Sequence, residues 1–184
     1  MAERYTLPIT TEETIRMRAG DSVLLSGVVY TARDAAHKRM IEMLENGDPL
    51  PFDAENAAIY YVGPSPAFGD FAVGSAGPTT STRCDPYTPV LLEQGVTMLI
   101  GKGKRNQTVK ESLLKHKGVY LAAIGGAGAM LSRCIKSAEV IAFDDLGTEA
   151  IRKLHVVDFP AVVIYDCHGN DYYEMARQAY LDSL

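Results

Sequence analysis

Apolar residues fall along this chain in short blocks, and the spacing within each block predicts its form. Residues 22–30 (SVLLSGVVY) are β-branched and apolar and predict a strand. In 32–45, Ala36, Met40 and Leu44 recur at spacing four with Arg33, His37 and Lys38 off that stripe, which predicts a helix stopped by Asn46-Gly47-Asp48-Pro49. The same reading gives strands over 57–62, 96–100, 119–124, 138–143 and 161–165. It gives helices over 86–94, 107–116 and 148–154, with a loosely helical tail after the turn at 168–171. Residues 1–20 read as a short leader, in which Thr10 caps a short helix through Met17. Residues 63–85 are rich in glycine and proline and predict a long loop, and long ordered loops in compact domains are often functional.

Strands and helices alternate without an internal repeat or linker. That pattern predicts one α/β domain over 1–184 with a largely parallel sheet. In such sheets ligands gather at the carboxyl ends of the strands. Three cationic loops occupy those predicted ends. Arg33 follows the first strand and opens a helix, where a cation is unfavourable unless an anion joins it. The competing reading pairs Arg33 with Asp34. Gly77-Pro78-Thr79-Thr80-Ser81-Thr82-Arg83 offers four consecutive hydroxyls, a turn-permitting backbone and a guanidinium suited to a carboxylate; an ordinary polar loop fits its composition equally well. Gly101-Lys102-Gly103-Lys104-Arg105 places Lys102 between two glycines. Together the three loops suit a small ligand with two or more carboxylates.

Other motifs fail on spacing. Lys102 is followed by glycine and lacks the upstream glycine of a P-loop, and the Gly125-Gly126-Ala127-Gly128 run meets Leu131 where a dinucleotide fingerprint needs glycine. The four histidines have no metal-ligand spacing. Cys84, Cys134 and Cys167 lie far apart without a Cys-x-x-Cys pair, which reads as separate thiols in a reducing compartment. Cys84 directly follows Arg83 and is a candidate to line the site.

Composition narrows the partners. A net charge of -5 argues against nucleic acid, which selects a basic surplus. No run approaches the length of a membrane span, and the first residues lack a secretory signal, so the expected location is cytoplasmic.

At the cationic loops the sequence resembles the β subunit of class I (iron–sulfur) fumarate hydratases and L(+)-tartrate dehydratases. The segments that carry the likeness include Tyr30-Thr31-Ala32-Arg33-Asp34-Ala35-Ala36-His37-Lys38-Arg39, Gly74-Ser75-Ala76-Gly77-Pro78-Thr79-Thr80, Arg83 with Asp85, Gly101-Lys102-Gly103 and Asp158-Phe159-Pro160-Ala161, in order along nearly the whole chain. The resemblance implies a swivelling β/β/α domain of three layers and reversible hydration of a dicarboxylate, such as fumarate to L-malate. It implies a [4Fe-4S] cluster on a partner α subunit, not on this chain, within a heterotetramer of two α and two β subunits. It assigns Arg33, Thr80, Arg83 and Lys102 to substrate binding, and Thr79 with Arg83 and Lys102 to catalysis, Thr79 as proton-transfer residue. Thr82 and Cys84 depart from the residues common at their positions. The same likeness leaves open dehydration of L(+)-tartrate to oxaloacetate. A reading from another class is a non-catalytic dicarboxylate-binding module.

Overall fold

The computed structural model describes residues 2–184. It is an α/β fold around one mixed sheet of seven strands: β1 (Glu3–Leu7), β2 (Ser22–Thr31), β3 (Ala58–Tyr60), β4 (Met98–Gly101), β5 (Val119–Ala122), β6 (Ile135–Ala142) and β7 (Ile151–Tyr165). Strands β1 to β5 are parallel neighbours in chain order. The long β7 runs antiparallel to β2, β5 and β6 and so links β5 back to β2, closing a ring of β2, β3, β4, β5 and β7.

Period-two alternation splits the core into two layers. Ala58, Tyr60, Met98, Ile100, Val119 and Leu121 point to one side, where Val156, Phe159 and Val163 of β7 meet them. Ile59, Leu99 and Tyr120 point to the other. That second side is covered by helices α2 (Asp34–Glu45), α3 (Thr88–Glu93) and α4 (Gln107–His116) through Ala36, Met40, Leu91, Leu92, Val109 and Leu113. The remaining helices are α1 (Thr11–Thr14), α5 (Gly128–Ser132) and α6 (Tyr172–Asp182). No helix among the described residues is long and apolar enough to cross a membrane.

Several elements differ from the sequence reading. The segment expected as a leader carries β1, paired in register with Val23–Gly27 of β2. As an edge strand it is largely exposed, which hides it from a search for apolar alternation. The helix expected over 148–154 is a 3-10 turn, Asp144–Glu149, followed by the start of β7. Good helix formers there are overridden by pairing with β2 on one edge and β6 on the other. The sheet expected to be largely parallel is mixed, because β7 pairs antiparallel with β2, β5 and β6. The short helix α5 follows the glycine run, where the sequence carries no helix signal.

Candidate active site

Because β2, β3, β4 and β5 are parallel neighbours, the loops that follow them leave from one end of the sheet. Those loops carry Arg33, residues 61–85, Lys102 and residues 123–128. The topology therefore gathers all five residues singled out in the sequence at the end where α/β sheets bind ligands.

The closest coupling joins the hydroxyl run to Lys102. Thr80 and Lys102 form a parallel bridge, the Ser81 N–H donates to the Lys102 carbonyl at 3.2 Å, and the Lys102 N–H donates to Ser81 Oγ at 3.0 Å. Tyr120 Oη lies 2.9 Å from Ser81 Oγ and 3.0 Å from the Gly103 carbonyl. The tyrosine has one proton and a carbonyl only accepts, so Tyr120 donates to Gly103 and the Ser81 hydroxyl donates to Tyr120. Ser81 is thus turned inward and buried, and the hydroxyl run does not act as a uniform donor set. Gly101 makes this possible: a Cβ there would collide with Ser81 Oγ and stand 2.9 Å from Tyr61 Cδ2.

Thr79, half-buried, is placed by its N–H donating to the Tyr61 carbonyl at 2.8 Å. Thr80, Arg83 and Lys102 are exposed, and among the described residues Arg83 and Lys102 take part in no ion pair. Two uncompensated cations on adjoining loops make a surface that attracts an anion.

Arg33 ends up differently. It sits at the N-cap of α2, and its Nη2 lies 3.1 Å from Glu149 Oε1 and 3.8 Å from Asp34 Oδ1. Glu149 comes from the turn before β7, and its distance along the chain left no sequence signal. The Arg33 carbonyl accepts from both the main-chain N–H and Nδ1–H of His37, at 2.9 and 2.8 Å. His37 is fully buried, and burial lowers its pKa to about 4, so the ring is neutral.

Beneath the exposed cations lies a buried one. Arg105, grouped by sequence with the cationic loop, donates from Nε to Asp85 Oδ1 at 2.5 Å, from Nη2 to Thr88 Oγ1 at 2.7 Å and from Nη1 to Tyr61 Oη at 3.3 Å. Its guanidinium lies 5.1 and 5.0 Å from the Tyr61 and Tyr120 ring centres. Burial works against the cation, but Tyr61 and Asp85 outweigh it and hold its pKa above the ordinary arginine value. Asp85 Oδ2 also accepts from the Asn106 N–H at 2.8 Å, so one buried pair ties the Arg83 loop to the start of α4. Cys84, expected to line the site, is instead fully buried against the helix layer. Burial pushes its thiol up to about 12, which removes it as a nucleophile at neutral pH.

The cysteines do not fit an iron–sulfur cluster. Cys84 is buried against the helix layer, Cys134 Sγ lies near the Asp158 carbonyl at 3.7 Å and Cys167 Sγ near the Thr14 carbonyl at 3.6 Å. Among the described residues no group of three or more His, Cys, Asp or Glu side chains is arranged to hold a metal ion.

Comparison with known proteins gives this geometry a context. The family model described as Fumarase C-terminus matches residues 3–176. The chain is 42% identical over 156 residues to Fumarate hydratase 2 of Leishmania major, covering 84% of this chain and 28% of that protein. It is 42% identical over 155 residues to the aerobic class I fumarate hydratase of Escherichia coli K12, covering 83% and 28%. It therefore spans little more than a quarter of the length of these relatives. A protein of Methanocaldococcus jannaschii named putative L(+)-tartrate dehydratase subunit beta is 35% identical over 182 residues, covering 96% of this chain and 93% of that one.

Proposed function

Because the chain belongs to the fumarase C-terminus family, we propose that it is the β subunit of a class I hydro-lyase that hydrates fumarate reversibly to L-malate. The observation that carries the reading is the bridge between Thr80 and Lys102, which sets Arg83 and Lys102, two cations without an ion pair among the described residues, at the open end of the parallel strands. In this reading Arg83 and Lys102 take one carboxylate of the substrate and Arg33 takes the other, with Thr80 at their border. Charge-assisted bonds at both ends fix the double bond between them.

Thr79 lies on the same loop and is proposed to transfer the proton at the reacting carbon. A threonine hydroxyl is a weak base, so its role depends on stabilisation of the developing alkoxide by Arg83 and Lys102, or on onward transfer to a group of the partner. The cysteines do not fit a cluster, so a [4Fe-4S] cluster and the rest of the active site are assigned to an α subunit. We further propose a cytoplasmic heterotetramer of two α and two β chains. The chain is proposed to be one domain, its ring of strands and helix layer forming the swivelling β/β/α arrangement.

The likeness to the M. jannaschii protein over 93% of its length favours a second reading, L(+)-tartrate dehydration to oxaloacetate. Both are tested by co-expression with a candidate α chain, anaerobic cluster reconstitution, and assay of fumarate, malate and both tartrates. Turnover of fumarate and malate supports the first reading; turnover of tartrate alone transfers support to the second. No turnover of any of them with the cluster intact leaves only the non-catalytic binding module.

A further inference from the structure

We propose that Glu149 is a positioning residue for substrate binding: it orients the Arg33 guanidinium that receives a substrate carboxylate. This rests on Arg33 holding that role in the hydro-lyase reading.

The geometry has three parts. Gly63 forms a floor on which the Arg33 side chain lies: a Cβ there would stand 3.1 Å from Arg33 Cδ, 3.4 Å from Nη1 and 3.0 Å from the Thr148 carbonyl. Glu149 engages Nη2 at 3.1 Å, and among the described residues Nη1 donates no hydrogen bond. Arg33 Nε, Glu149 Oε2 and Asp34 Oδ1 are buried without a hydrogen-bond partner among the described residues, so the pair lies at a partly dehydrated spot.

Glu149 is itself held from both sides. The turn Asp144–Glu149 is pinned to α2 by Arg39, whose Nη1 and Nη2 donate to Asp145 Oδ1 and Oδ2 at 2.7 and 2.5 Å and whose guanidinium lies over Phe143. From β7, Arg152 donates to the carbonyls of Gly147, Thr148 and Ala150 at 2.8, 3.2 and 3.3 Å. The backbone that carries Glu149 is thus fixed to the frame. Without it, Asp34 at 3.8 Å is the carboxylate left to draw the guanidinium. An arginine held by an ion pair at one nitrogen loses less freedom when it binds a ligand with another, which is the benefit of preorganisation.

The test uses the reconstituted α–β complex. Wild-type turnover must first be present, and its absence counts against the hydro-lyase reading and not against Glu149. Given turnover, Glu149→Gln raises the KM for fumarate by about tenfold with kcat within about twofold, the pattern of lost uniform binding. Glu149→Asp recovers part of that loss. In an Arg33→Ala background, Glu149→Gln adds nothing, because it acts through Arg33. A purely structural defect lowers the active fraction and leaves KM unchanged. Unchanged or lowered KM in Glu149→Gln, or additive effects with Arg33→Ala, overturns the proposal.

Discussion

The main-chain N–H of Lys102 donates to the side-chain oxygen of Ser81 at 3.0 Å, across the gap between two loops that 20 residues of chain separate. The bond exists because Gly101 has no Cβ to occupy the space of Ser81 Oγ. Gly101→Ala therefore forces the Thr79–Arg83 loop away from Lys102. It should cost about 1–3 kcal/mol, the range for overpacking a tight site. Ser81→Ala in the same chain should return part of the loss, although Tyr61 Cδ2 at 2.9 Å keeps the rescue incomplete. Urea unfolding of the single and double variants measures both effects. Wild-type stability in Gly101→Ala would show that the loops yield easily and that the contact is not a constraint.

Asp85 and Arg105 are both buried, and each makes further bonds that hold the surrounding loops. Asp85→Asn leaves the guanidinium desolvated without its counter-ion, so the expected loss is about 3–5 kcal/mol. Replacing both residues together, as Asp85→Leu with Arg105→Met, should cost less than the sum of the single changes. Chemical denaturation of Asp85→Leu, Arg105→Met and the double variant completes the cycle; additive losses would mean that the two charges are not coupled.

The parallel core of the sheet and the three cationic loops were legible in the sequence because they rest on local signals. Strand blocks such as 96–100 and 119–124 are continuous and apolar, and glycine flanks Lys102 on both sides. Two kinds of feature were hidden. Edge strand β1 and the first half of β7 owe their form to pairing partners, which override composition. Glu149 and Ser81 owe their roles to contacts across the fold. The hydroxyl run looked like four equivalent donors, but only three-dimensional packing shows Ser81 turned inward while Thr80 and Thr82 remain exposed. Arg105 stands in the same cationic segment as Lys102, and its burial is explained by the ring of Asp85, Thr88, Tyr61 and Tyr120.

Arg83 and Lys102 are exposed, so truncating either one should leave folding and subunit assembly intact. If each makes one charge-assisted bond to a substrate carboxylate, its removal costs about 1.5–3 kcal/mol. That corresponds to roughly 10- to 100-fold in kcat/KM for Arg83→Ala and for Lys102→Ala. Size-exclusion chromatography of the complex and steady-state kinetics read the two halves of this expectation. An unaltered kcat/KM in either variant removes that residue from the site.

His37 gives the fold an acid-sensitive point. Its neutral ring is buried, donates from Nδ1 to the Arg33 carbonyl and is flanked by Arg33, Asp34 and Arg105, with a pKa lowered by burial to about 4. In the unfolded chain its pKa returns to about 6.5. Between those two values only the unfolded chain takes up the proton, so acid favours unfolding. The contribution is intact above about pH 6.5 and falls as pH drops towards 4, by on the order of 3 kcal/mol in all. Carboxylates titrate in the same window, so the informative quantity is the stability difference between wild type and His37→Leu. The wild type should be the more stable at pH 7, because the variant lacks the bond to the Arg33 carbonyl. The gap should narrow steadily as the pH is lowered to 4.5. Parallel stability curves for the two proteins across that range would mean that His37 binds its proton equally well in the folded chain.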